Sequence, residues 1–377
     1  MSEHRITAGF LPLTDSLVLV AAREKGFAQA QGVELTLVRE TSWANIRDRI
    51  AVGHFDVAHM LAPMPIAASL GLTPIATPVI APFALGLGGN CVTVSALLWE
   101  KMAAAGAPAD LDAARVGKAL AAAVRTGEKR LRFGVVHPHS AHNYELRYWM
   151  AASGIHPGRD VEIVILPPPL MADALAAGGL DGYCVGEPWN SMGVESGAGV
   201  IATVKAKIWR ASPEKVLGAA QRWVEANPAA LTALIRALHA AAAWCGEPAN
   251  HAEAASLLAR KTYLGVPETV ARRALSGAIR TAQDRTVTVP DFFIPFAEGA
   301  NLPWPGHALW FYSQMVRWGD VPHHPDHARR AAASFRPDLY RAAIAGAPIG
   351  DTRGPEHFFD GHSFDPARLE DYLAAQS

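Results

Sequence analysis

Three imidazoles stand within six residues at His137-Pro138-His139-Ser140-Ala141-His142. Such a cluster could ligate a metal, although no cysteine lies beside it. An imidazole at the start of a helix is also a good donor to an anion, and a capping loop with one packed ring is the plain structural alternative. Thr14-Asp15-Ser16 is a run of helix-capping residues whose N–H groups could hold an anion. Asp15 already places a carboxylate at that positive end, so an ordinary cap is the expectation. Trp43, after Thr41-Ser42, can offer its indole N–H to a small ligand or staple a helix to its lobe. In Gly186-Glu187-Pro188-Trp189-Asn190, Glu187 could orient a donor and Trp189 could wall a pocket, or the segment could be a turn with a space-filling indole. Pro213-Glu214-Lys215 reads as a helix start, with Lys215 a candidate point charge for an anion. His323-His324-Pro325-Asp326-His327 is expected to be a surface histidine run. Gly-x-Ser-x-Gly, P-loop and dinucleotide fingerprints are missing from the sequence. Gly86-Leu87-Gly88-Gly89-Asn90 precedes its apolar run instead of following a strand. These features argue for a binder and against an enzyme.

The elements that must position these residues alternate. Strands are expected at Arg5 to Phe10, Val33 to Val38, Phe55 to Met60, Arg132 to Val136, Val161 to Leu166 and Gly182 to Val185. Helices are expected at Leu17 to Lys25, Trp43 to Ile50, Ala109 to Thr126, Ala141 to Ala152 and Leu170 to Ala177. This rhythm predicts an α/β protein with two sheet-and-helix units. From Ser212 onward the pattern reads as mainly helical, including Ala219 to Trp244, Ala252 to Lys261 and Arg329 to Ala345. Long packed loops are expected between Phe292 and His327. The 377 residues suit two or three domains at about 150 residues each. The expected division is 1–98 for the first lobe, 99–200 for the second, 201–300 for a helical return to the first, and 301–377 for a C-terminal extension. Ligands of open α/β sheets sit at the carboxyl ends of strands, and the candidate residues cluster at those ends.

Composition narrows the function. Half the residues are hydrophobic and 18% are charged, with a net charge of -1. A large core is therefore possible, and direct nucleic-acid binding is not the expectation. An anion site would have to be built locally. Cys91, Cys184 and Cys245 are too dispersed for a disulfide framework or a zinc knuckle. Apolar runs are interrupted before the roughly 18 residues of a membrane span. The opening residues show no leader pattern, so a soluble cytoplasmic protein is expected.

Several stretches together resemble one family. They are Gly9-Phe10-Leu11-Pro12-Leu13-Thr14-Asp15-Ser16, Thr41-Ser42-Trp43, Asp56 to Pro63, Gly89-Asn90-Cys91-Val92-Thr93-Val94, His142 to Trp149, Val185 to Asn190 and Pro213 to Leu217. In this order they resemble the nitrate- and bicarbonate-binding proteins of bacterial ABC transporters. Without a leader, the chain looks more like the cytoplasmic NasS-type nitrate/nitrite sensors, which hold an RNA-binding antiterminator protein (NasT-type) inactive until the anion arrives. The resemblance implies a type II periplasmic-binding-protein fold with an interlobe anion site. It implies Trp43 as aromatic wall and N–H donor, Asn90 as amide donor, His142 as imidazole donor and Lys215 as the cation. Glu187, at the matching acidic position, would orient Lys215 or His142. No cofactor and no resident metal are implied. Nitrate is a flat monoanion with weak acceptors. It suits a partly apolar slot with a few neutral donors and one cation, whereas a fully charged site favours sulfate or phosphate. Hinges near 95–100 and 195–205 would let a bound anion favour closure. The competing readings are a transport receptor for nitrate, bicarbonate or a related anion, a metal protein using His137, His139 and His142, and a binder of larger sulfonates or thiamine-pyrimidine precursors.

Overall fold

The computed structural model describes residues 4–345 and 353–376. The reading of residues 1–3 as the lead into a strand lies outside them. The first strand, His4–Phe10, buries Ile6, Ala8 and Phe10 on alternate positions. It pairs in parallel with Val33–Arg39 and with Val57–Leu61. Helix Trp43–Ala51 starts where Ser42 accepts a hydrogen bond from the Asn45 N–H, the N-cap its sequence predicts.

Ten strands form two five-stranded sheets. The first runs in the order Val33–Arg39, His4–Phe10, Val57–Leu61, Lys215–Ala220, Val79–Ala84. The second, read from its far edge, runs Val161–Ile165, Leu131–Val135, Gly182–Gly186, Asn90–Ser95, Gly199–Val204. Both follow one scheme: second, first, third, a crossing strand, fourth. In each sheet the crossing strand is the one entered directly from the other sheet, and it runs antiparallel to its neighbours. The two units thus repeat in topology although their sequences do not align. The chain crosses between Ala84 and Asn90 and returns between Val204 and Lys215. The expected hinge at 95–100 lies past the first crossing, and the one at 195–205 ends where the return begins. This is the two-lobed α/β architecture expected, with the type II strand order.

Several elements differ from expectation. Lys215 opens a strand, not a helix. Lys215–Ala220 is buried along its whole length between two strands, and that pairing overrides the helix-start look of Pro213-Glu214. The following helical stretch is divided at Asn227, between Gln221–Ala226 and Pro228–Gly246. Pro337 similarly splits the last long helix into Pro325–Ala333 and Pro337–Ala343. The expected helix Ala109 to Thr126 begins at Ala113, capped by Asp112. The Trp- and His-rich stretch holds a 13-residue helix, Pro305–Arg317. Pro228–Gly246 is long and apolar enough to cross a membrane by length and composition. It packs against helices Leu17–Glu24 and Pro337–Ala343 and carries Arg236 and His239, which is the pattern of a core helix.

The C-terminal region touches both units. Helix Pro305–Arg317 packs on Pro63–Ser69 of the first and on Ala141–Ala152 of the second. Tyr148, Trp209, Trp310, Phe311 and Phe358 form an aromatic cluster beneath it. Tyr144 donates to Asp320 at 2.7 Å and Tyr148 to Asp360 at 2.9 Å. The helix that carries His142 is therefore tied to this region.

Candidate functional site

From the first sheet, the turn at Thr14–Ser16 points Asp15 inward. Asp15 is not the helix cap its sequence suggested: its Oδ2 lies 2.9 Å from Lys215 Nζ and its Oδ1 lies 2.9 Å from His59 Nε2. The Lys215 ammonium stands over the Trp43 ring, 5.5 Å from its centroid. His59 meets the same ring edge-on at 5.3 Å. Lys215 also donates to Glu214 Oε1 at 2.7 Å.

The second sheet and its crossings supply the other half. Asn90 Nδ2 donates to Glu214 Oε2 at 2.5 Å. Lys205 Nζ lies 2.5 Å from the same oxygen and 2.9 Å from Glu145 Oε1. His142 Nε2 is 3.3 Å from Glu214 Oε1. Glu214 is thus the hub of a cluster drawn from both lobes, and all its members are at most 4% exposed. Two further contacts join the lobes beside it: the Thr14 N–H donates to the Glu187 carbonyl at 2.8 Å, and Trp189 Nε1 donates to the Pro12 carbonyl at 3.1 Å.

Burial and pairing set the charges. Burial would raise Glu214, but His142, Lys205 and Lys215 hold it far below the usual carboxylate range. Burial would also raise Asp15, and Lys215 with His59 holds it low. Burial pushes Glu145 up to about 8, against the pull of Lys205. Burial works against the Lys205 charge, and Glu145 and Glu214 more than restore it. Burial pulls His142 down to about 3 and lowers His59 as well, so both imidazoles are neutral near pH 7.

Several buried polar atoms here have no hydrogen-bond partner. They are Trp43 Nε1, both ring nitrogens of His142, His59 Nε2, Asp15 Oδ1, Glu145 Oε1, Asn90 Oδ1, Thr14 Oγ1, Ser191 Oγ and Ser212 Oγ. The His142 approach to Glu214 lacks hydrogen-bond alignment. An unmade buried bond costs about 1–3 kcal/mol, so a concentration of such atoms marks a place where something else supplies the partner. What the group can do chemically is surround a small acceptor-rich molecule with an indole N–H, an imidazole and an ammonium.

Of the residues singled out from sequence, Trp43, Asn90, His142 and Lys215 come together around Glu214. Glu187 does not orient Lys215 or His142. Its Oε2 accepts from the Ser191 N–H at 3.2 Å, and its Oε1 lies 3.5 Å from Cys91 Sγ. Asp15 and Glu214 hold Lys215 instead. The expected single cation is in fact two lysines, each already matched by carboxylates. The three histidines do not converge: the His139 N–H donates to His137 Nδ1 at 3.0 Å, and His139 Nδ1 meets Tyr144 Oη at 2.9 Å, while His142 turns to Glu214. No group of three metal-ligating side chains occurs among the described residues. His323 pairs with Glu370 and His324 caps its helix, as a surface run would. Sequence reasoning missed His59, Glu145, Lys205 and Glu214 as members of the cluster. A signal was present for two of them: His59 and Lys205 adjoin or interrupt otherwise apolar strands, Val57–Leu61 and Gly199–Val204.

The family model described as NMT1-like family matches residues 2–259. The chain is similar to the nitrate/nitrite binding protein NrtA of Synechococcus elongatus, with 34% identity over 98% of this chain and 85% of that protein. It is also similar to the nitrate import ATP-binding protein NrtC of Synechocystis sp., with 36% identity over 97% of this chain, and spans 54% of that longer protein. The crystal structure of the periplasmic nitrate-binding protein NrtA from Synechocystis PCC 6803 superposes with a TM-score of 0.90 at 28% identity, covering 99% of this chain and 98% of that one. The periplasmic-binding-protein fold is thereby confirmed, and the chain belongs to the NMT1-like family.

Proposed function

We propose that this protein captures a small flat oxyanion of the nitrate or nitrite kind between its lobes, as the solute-binding component of an ABC transporter. One observation carries the reading: the unpartnered N–H of Trp43 and the bare imidazole of His142 lie buried beside Lys215, at the meeting of the two sheets. Relatives named for nitrate over nearly the whole chain support the choice of anion. Asn90 belongs to the site through Glu214: its Nδ2 donates to Glu214 Oε2 and fixes that carboxylate beside Lys215 and His142. Glu187 supports the site from behind by holding the helix that Trp189 opens. The sensor reading, with a cytoplasmic protein that releases an RNA-binding antiterminator on anion binding, rests on sequence resemblance. The relatives found are transport components, so transport is placed first. Isothermal titration with nitrate, nitrite, bicarbonate and sulfate tests the anion. Binding of nitrate near micromolar corresponds to about -8.2 kcal/mol. Lys215→Ala should cost about 2–5 kcal/mol of that, by analogy with broken buried charge pairs. Nitrate affinity unchanged in this variant would remove Lys215 from the site. A complex with the antiterminator that dissolves on adding nitrate would put the sensor reading first.

A further inference from the structure

We infer that the interlobe site takes up its anion together with one proton, which His142 receives. The inference rests on the anion-binding reading above. Its ground is the arrangement of charge in a cluster sealed from water. Lys215 lies between Asp15 and Glu214, and Lys205 between Glu145 and Glu214, all within 2.9 Å. The two ammoniums are already answered by the ionised carboxylates of Asp15 and Glu214, since burial leaves Glu145 mostly protonated near neutrality. A monoanion arriving alone would bring an unanswered charge into a site whose members are at most 4% exposed, where water cannot screen it.

The two imidazoles show which group takes the proton. His59 has one ring nitrogen bonded: its Nδ1 accepts from the Leu11 N–H at 3.4 Å, which leaves its Nε2 as the protonated nitrogen, 2.9 Å from Asp15 Oδ1 but without hydrogen-bond alignment. His142 has no such bond, because both of its ring nitrogens are bare and buried. Its neighbours from each packed element are Glu145 on its own helix, Glu214 and Lys215 at the return strand, Lys205 at the crossing helix, and Asp15 from the first lobe. Glu214 Oε1 stands 3.3 Å from Nε2. Once an oxyanion enters, the ring is asked to serve two acceptors. A neutral imidazole carries one N–H, whereas an imidazolium carries two. Protonated His142 then donates to Glu214 and to the anion, and its charge balances the newcomer. Glu187 is a poorer receiver, since its oxygens are turned toward the Ser191 N–H and Cys91.

Calorimetric titration of the wild-type protein with sodium nitrate, at one pH in buffers of different ionisation enthalpy, counts the protons taken up. The expected result is close to one per nitrate bound, with affinity falling about tenfold for each unit rise in pH above neutrality. Nitrate bound with no proton uptake would overturn the inference and leave anion capture standing; no nitrate binding at all would instead defeat the function proposed above. The assignment to His142 is read without mutation from nitrogen-15 spectra of histidine-labelled protein. A buried ring should change from the neutral to the doubly protonated signature on saturation with nitrate. His142→Gln should bind more weakly with proton uptake near zero. Uptake that persists in that variant, or a ring that stays neutral in the labelled protein, would overturn the assignment.

Discussion

Among the described residues four indoles are buried completely, and they divide into two groups. Trp149, Trp209 and Trp310 pack against aliphatic and aromatic neighbours, and each N–H finds an acceptor: the Ala113 carbonyl at 2.8 Å, Glu356 at 2.9 Å and the Tyr372 hydroxyl at 3.1 Å. Trp43 is as deeply buried, yet its N–H has none. The same contrast separates the aromatic region under the C-terminal helix from the charged cluster between the sheets. In the first, the tips of Tyr148, Trp209 and Trp310 are bonded and the rings fill space. In the second, donors from opposite lobes surround a carboxylate hub and several remain unmatched. Burial alone therefore does not separate packing from recognition. Among these four indoles the completeness of hydrogen bonding does, because a buried donor left without an acceptor is costly unless another partner compensates.

The largest test of this contrast is in the charged cluster. Lys205→Met should lower stability by about 3–5 kcal/mol in urea unfolding, because the buried Glu214 carboxylate loses one of its two ammoniums and Glu145 is left a buried carboxyl without its partner. Adding Glu145→Leu should recover most of that loss. A double variant as unstable as the single one would show that the ion pair is not the cause. A smaller effect concerns Glu187, whose burial pushes its carboxyl up to about 7. A carboxyl raised in the folded state binds its proton more tightly there than in the unfolded chain. Its contribution is present in acid and is lost as pH rises through the folded value. Stability should fall by about 2 kcal/mol from pH 5 to pH 7 on this account, and Glu187→Gln should flatten that slope. Smaller again is the exchange of indoles for phenyl rings. Trp209→Phe leaves Glu356 short of a donor and should cost about 1–2 kcal/mol of stability. Trp43→Phe removes a donor that bonds nothing, so its cost should be confined to lost volume, while nitrate binding weakens. If Trp43→Phe lost as much hydrogen-bond energy as Trp209→Phe and bound nitrate unchanged, the distinction between the two groups would fail.

The fold was legible where local signals agreed. Ser42 before Trp43 placed a helix whose cap forms as expected, and the helix expected from Ala141 to Ala152 spans those residues, capped by Ser140. The strand Lys215–Ala220 was not legible, because its identity comes from partners at Val57–Leu61 and Val79–Ala84, more than 100 residues earlier. The same non-local pairing hides the second sheet's use of Asn90–Ser95, which a local reading leaves with the first lobe. At the site, Trp43, Asn90, His142 and Lys215 were found through the resemblance. Glu214, which accepts from Asn90 and Lys215, and the second cation Lys205 were not, since a lysine or glutamate in a sequence looks the same whether solvated or buried. Asp15 misled for a related reason: a residue type suited to capping was placed at a turn but faces an ammonium from a distant strand.

The position of Lys215 at the first residue of a return strand has one more consequence. Glu214 and Lys215 are consecutive, and the strand that follows is held on both sides by backbone pairing. Moving its register by one residue would turn every side chain to the opposite face and bring Glu214 to the place of Lys215 against the Trp43 ring. The span of chain between Val204 and Lys215 therefore acts as a ruler: beyond Lys205 and Glu214, the charged side chains it supplies, its length counts, because a one-residue shift that set Glu214 there would reverse the sign of the electric field that greets whatever enters.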